Sequence, residues 1–263
     1  MLSTPLHHKP IVYGSAIADM VFFAFVVIHV LPSIVAPVAA VVAFAAKKGG
    51  RLHIRAGKTF VWSMAAVAVT GIAIVLVRLF VYYDENHTKY AGHSMPSTIP
   101  ARLGFLFAGL CVLYLLRVAT PPRGFSKMPA GGNLVVPGLL LALGVGLSLL
   151  VILRFNPWSG ALWMIWTFSA LVVLGARASG VARHRFGMSF LAAFSWWGAL
   201  QGFGPAIGHA IKGVDQSTTP YVGDRPGPFT PFFFLFLVGW GLPFLLGAYF
   251  VRRFRLQRAS ARS

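Results

Sequence analysis

Acidic residues are nearly missing from this chain. In 263 residues there are 5 Asp+Glu against 23 Lys+Arg, a net charge of +18, and charged residues of all kinds make up only 11%. Soluble domains carry about 25% charged residues. The shortfall argues against an ordinary water-soluble fold and is explained if lipid is the main solvent. Cysteine is scarcer still. Cys111 stands alone inside an apolar run, which excludes a disulfide framework. Catalytic signatures are missing too: there is no nucleophile elbow, phosphate loop or HExxH pattern. No enzyme class is indicated, and no metal site is assigned.

What the chain does have is apolar length, with 57% hydrophobic residues. A membrane span needs ~20 mostly apolar residues. Seven candidates meet the need: a first within Ile11–Ala46, then Thr59–Tyr83, Arg102–Val118, Asn133–Leu153, Trp158–Gly175, Met188–Ile211 and Pro228–Val251. The first is over-long, and Pro32 and Pro37 are expected to kink it. It is read as a retained span and not a signal peptide, because Lys9 is the only cation before it and the run is too long.

Cations set the direction. Between the first two runs lies Lys47-Lys48-Gly49-Gly50-Arg51-Leu52-His53-Ile54-Arg55-Ala56-Gly57-Lys58, with five Lys or Arg and no acid. Further basic loops hold Arg117, Arg123 and Lys127, then Arg177, Arg183 and Arg185, then the tail from Arg252 to Arg262. The loops between them are poorer, so cation-rich and cation-poor connections alternate. Cationic loops stay cytoplasmic, which predicts an all-α integral membrane bundle of seven helices in one domain, N-terminus out and C-terminus in. All five acids then fall on the outer half. In a soluble chain so many cations would suggest nucleic acid. Here they lie between apolar runs, so the expected partners are the bilayer and its anionic headgroups, and nucleic acid is set aside. Tyr82, Tyr83, Trp158, Tyr221 and Trp62 fall near span ends, as an interfacial belt requires.

Arg55-Ala56-Gly57-Lys58-Thr59-Phe60 has an echo in Arg185-Phe186-Gly187-Met188-Ser189-Phe190, each with a His nearby. Two readings stand. One is a parallel repeat of spans one to three and five to seven. The other is convergence, since any inner loop needs Gly, cations and a helix start.

Ionisable groups in hydrocarbon are costly and are functional candidates. Asp19, His29, Arg78 and His209 qualify. Asp19 and Arg78 are expected at a shared outer depth, where they either pair or Arg78 snorkels to the interface. His29 precedes Pro32 and is expected to bond the carbonyl that the proline frees. Its alternative is chemistry: a b-type haem ligand, a quinone site or a proton relay. A membrane haem wants two facing imidazoles, and only His29 and His209 lie in predicted spans. On the inner side, His53 and His184 read first as helix-start and headgroup structure. The functional alternative joins Arg51, His53, Arg55 and Gly57 with Arg183, His184, Arg185 and Gly187 in one candidate anion or headgroup site, the glycines contributing helix N-terminal amides, with a quinone headgroup as a further option. The outer loop Asp84-Glu85-Asn86-His87, with His93, has metal-capable side chains but no zinc spacing. Gln201, Trp196 and Trp197 could line a cavity or bond between helices. Gly138, Gly144 and Gly146 suggest close helix packing.

The piece Lys48-Gly49-Gly50-Arg51-Leu52-His53-Ile54-Arg55-Ala56-Gly57-Lys58-Thr59-Phe60-Val61-Trp62-Ser63-Met64 resembles a bacterial family of multi-span membrane proteins, the domain of unknown function 2306 family. His184-Arg185-Phe186-Gly187-Met188 is similar to a later element of that family, with Phe186-Gly187 in place of its usual pair. The likeness covers spans one, two and six. It implies a multi-pass protein of the bacterial inner membrane and brings no activity, cofactor or catalytic residue. A more distant likeness to cytochrome b561-like proteins carries over no ligands. Three function classes follow: moving or sensing a small molecule or lipid, redox chemistry with haem or quinone at His29, or a structural membrane partner.

Overall fold

A computed structural model describes residues 16–81, 98–120, 134–154, 160–178 and 180–212, together with Leu245 and Tyr249. Among the described residues the protein is all-α. Six helices follow one another: α1 Ala16–Ala45, α2 Arg51–Leu76, α3 Thr98–Ala119, α4 Val135–Arg154, α5 Gly160–Arg177 and α6 Gly180–Lys212. Four stretches are long and apolar enough to cross a membrane: Ala24–Ala45, Arg51–Leu76, Ile99–Ala119 and Val135–Arg154. Ala161–Arg177 is a shorter apolar helix. In hydrocarbon every backbone amide must be satisfied within the chain, so helices are the natural answer to such runs. The protein is a helical membrane bundle. The seventh predicted span lies outside the described residues apart from Leu245 and Tyr249.

The six helices fall on the predicted runs, but two start well before them. The basic stretch is a loop only over Ala46–Gly50; Arg51 to Lys58 are the first turns of α2. Likewise Arg183, His184 and Arg185 belong to the first turns of α6, not to a loop. Hydropathy sees only the part of a helix that lies in lipid, and these helices project beyond it. The turn between α1 and α2 needs one left-handed residue, and Gly49 supplies it at φ 80°. Beyond Leu76 the chain widens into a π turn, Val77–Val81. α1 runs as one helix through Pro32 and Pro37. Its Val30 carbonyl accepts a hydrogen bond from the Ser33 hydroxyl at 2.7 Å.

α3 is the central helix and packs against α2, α4, α5 and α6. α1 lies against α2 and also reaches α6, so α1, α2, α3 and α6 close into a ring. The α1–α2 contact is the most extensive. α1 offers small buried residues, Ala36, Ala39, Ala40 and Ala43, and α2 buries Ala56, Phe60, Met64 and Ala68 at every fourth position. Small residues let the two backbones approach closely, which drives association where there is no hydrophobic effect between helices. α5 and α6 are held further apart by rings: Phe168 meets Phe190 and Phe194 edge-on at 5.8 and 5.1 Å. On α4, a Cβ at Gly144 would meet Ser169 Oγ at 2.7 Å and Phe107 Cζ at 2.9 Å, so this glycine is a packing residue. Gly138 and Gly146 have open space around them and play no such part. Outward faces carry exposed apolar side chains such as Ile28, Leu31 and Val38 of α1 and Leu139, Val145 and Leu149 of α4.

Candidate functional site

His29 is half-buried in α1 and faces α2. Its Nδ1 lies 3.0 Å from Thr70 Oγ1. The single hydroxyl hydrogen of Thr70 is directed to the Ala66 carbonyl at 2.6 Å. Thr70 can therefore only accept from the imidazole, and the network assigns the proton of His29 to Nδ1. The Val67 carbonyl, a further acceptor, lies beside the same ring. The ring rests on Gly71, where a Cβ would approach Cε1 to 3.2 Å. In the neutral ring Nε2 then keeps its lone pair, and no donor meets it among the described residues. Thr70 is 12 residues past Lys58. That is ~18 Å along the axis, near the middle of a ~30 Å hydrocarbon core.

This corrects the expected partner of His29. The imidazole does not bond a carbonyl freed by Pro32 in its own helix; it reaches across to α2. Neither Thr70 nor Gly71 stands out in the sequence, although a polar and a side-chain-free residue side by side in an apolar run is the signal that was there to read.

At the basic end of the bundle two histidines do the same job. His53 Nδ1 donates to the Ala43 carbonyl at 2.8 Å, and His184 Nδ1 donates to the Ala119 carbonyl at 2.8 Å. Both acceptors are last-turn carbonyls, which a helix leaves without an intrahelical donor. Lys48 adds to the first cap, donating to Ala43 O at 3.1 Å and Phe44 O at 2.9 Å while its Nζ sits 5.1 Å from the Phe44 ring centre. Arg183 is buried, and its Nε donates to the Ala178 carbonyl at 2.7 Å. Arg51, Arg55 and Arg185 are exposed.

The two glycines do not serve as helix N-terminal amides. α2 begins at Arg51 and α6 at Gly180, so Gly57 and Gly187 lie inside their helices, where each amide joins the intrahelical ladder. Gly57 has open space around it, whereas Gly187 is buried against α3, where a Cβ would lie 2.7 Å from Ala119 Cβ. An anion site built on both glycines is therefore not what these residues form.

Asp19, Arg78 and His209 sit on the backbone of α1, the π turn and α6, at the bundle end opposite the basic stretch. Their side chains, and that of Gln201, lie outside the described ones, as does the outer loop with Asp84, Glu85, Asn86, His87 and His93. The Trp197 indole N–H is buried and meets no acceptor among the described residues. No family model, no curated protein and no solved structure matches this chain.

Proposed function

We propose that this chain is a multi-pass protein of the bacterial inner membrane, with seven spans, N-terminus out and C-terminus in, that moves or senses a small molecule or lipid through a polar site at His29. The observation that carries the reading is the His29–Thr70 hydrogen bond. It commits Nδ1–H to α2 and leaves Nε2 as a lone-pair acceptor within the hydrocarbon, where polar groups are costly and kept for function. The alternation of cation-rich and cation-poor connections supports the topology. The likeness to the domain of unknown function 2306 family agrees with the setting and adds no activity.

The decisive experiment is mass spectrometry of the protein extracted from its own membrane. Wild type is expected to release a bound small molecule or lipid that His29→Phe lacks. Equal content in both would remove His29 as the site. A reporter fused to the C-terminus is expected to read cytoplasmic, and a periplasmic reading would overturn the topology.

A second reading, redox chemistry with b-type haem, is favoured by one detail. A ligating histidine donates its other ring N–H to a fixed acceptor, as His29 does to Thr70. A Soret band in the purified protein, lost in His29→Ala, would establish it. A quinone site would show no such band and would release a quinone on extraction.

A further inference from the structure

We infer that the lipid-facing stripe of α2 binds one anionic phospholipid, with Arg51, Arg55 and Lys58 on its headgroup and Trp62 against the start of its acyl chains. Successive helical residues turn by about 100°, so positions 51, 55, 58, 62, 69 and 76 all lie within about 40° of one line along α2. All six are exposed: Arg51, Arg55, Lys58, Trp62, Val69 and Leu76. The buried stripe of Ala56, Phe60, Met64 and Ala68 runs along the opposite side.

Along the exposed line the chemistry changes once. Three cations come first, then an indole 75% exposed, then aliphatic residues. Arg51 to Lys58 rises ~10 Å, enough to cross the roughly 5–8 Å headgroup layer on one side of a bilayer. Trp62, one turn further, stands at the level where amphipathic rings settle. Lys48 is already held by the carbonyls of α1, but Arg51, Arg55 and Lys58 meet no carboxylate among the described residues. Two guanidinium forks and an ammonium suit phosphate oxygens. Three positive charges without an acid among them select a net-anionic headgroup over a zwitterionic one. His29 is no part of this stripe, so either site can fail without the other.

The test uses the full chain in detergent, titrated separately with phosphatidylglycerol, phosphatidylcholine and inorganic phosphate. Binding is read by native mass spectrometry, and proximity by quenching of tryptophan with brominated acyl chains. Phosphatidylglycerol is expected to bind and quench. The triple variant R51Q/R55Q/K58Q is expected to bind it on the order of 100-fold more weakly, at about fivefold per cation. R154Q, at the other end of α4, should bind as wild type does. W62F should keep the lipid while losing part of the quenching. Because the three cations are exposed, the lipid-free melting temperature of the triple variant should match wild type. Should the triple variant fail to fold, R55Q alone carries the test with its roughly fivefold loss. Undiminished affinity in the variants, equal binding of phosphatidylcholine, or displacement of the lipid by inorganic phosphate would each overturn the proposal.

Discussion

Arg55-Ala56-Gly57-Lys58-Thr59-Phe60 in α2 and Arg185-Phe186-Gly187-Met188-Ser189-Phe190 in α6 read almost alike, and their two final phenylalanines are both buried. Arg55 and Arg185 are both exposed and Ala56 and Phe186 both buried, but from the glycines on the likeness ends. In α2 a Cβ on the glycine would meet nothing within 4 Å and the cations of the first turns are exposed; in α6 the glycine is pressed onto Ala119 and Arg183 is buried on the Ala178 carbonyl. The histidine of each segment caps another helix, but His53 caps the helix just before it, whereas His184 caps α3. α1 and α2 pack along close backbones, while α5 and α6 meet across bulky rings. A local phrase therefore sets which ring turns inward. The neighbouring helix decides what the glycine and the two residues after it do.

The glycines give the sharpest way to break this comparison. Gly187→Leu must push α6 off α3, and overpacking of this kind costs about 1–3 kcal/mol or more. Gly57→Ala meets open space in a helix interior and should stabilise by about 0.5–1 kcal/mol. Unfolding by SDS titration in mixed micelles measures both, and equal signs would mean that the two sites are not different after all. The arginines come next. Arg183→Ala strips a buried carbonyl of a charged donor, for a loss of about 1.5–3 kcal/mol. Arg55→Ala should stay within about 0.5 kcal/mol, as exposed substitutions do. The histidines come last, because only the first of the two caps has a second donor. His184→Phe orphans the Ala119 carbonyl and should cost about 1–2 kcal/mol, with Asn recovering part through its amide N–H, whereas His53→Phe leaves the Ala43 carbonyl its bond from Lys48 and should cost less than 1 kcal/mol, roughly one neutral hydrogen bond or below. Equal costs would mean that Lys48 does not hold the first cap by itself.

Much of the fold was legible from hydropathy, because lipid as solvent demands continuous apolar helices and cations punctuate them. The helix starts were not legible. Arg51–Lys58 is helical yet too charged to register as span, so hydropathy alone assigns it to a loop. His29 was visible as an outlier in an apolar run. Its partner was not, because Thr70 is 41 residues away and nothing in a single sequence gives the rotation of one helix against another. The same ignorance of rotation hid the stripe from Arg51 to Leu76, which exists only once α2 is known to begin at Arg51. Gly187 reads as part of an anion site in the sequence because a packing glycine and a helix-start glycine look the same until the neighbouring helix is placed.

The two histidine caps also differ in when they can form. His53 and Ala43 are 10 residues apart, across the short turn at Gly49. Their bond can close as soon as that turn leaves the ribosome. α1 and α2 can thus enter the bilayer as a finished hairpin, with its cations already holding one end at the surface. His184 and Ala119 are 65 residues apart, and their bond must wait until α4, α5 and the start of α6 have been made. Synthesis proceeds from the N-terminus, and distant contacts are paid for with loop entropy. The first cap can therefore form early in synthesis, and the second only once the helices between its partners have been made.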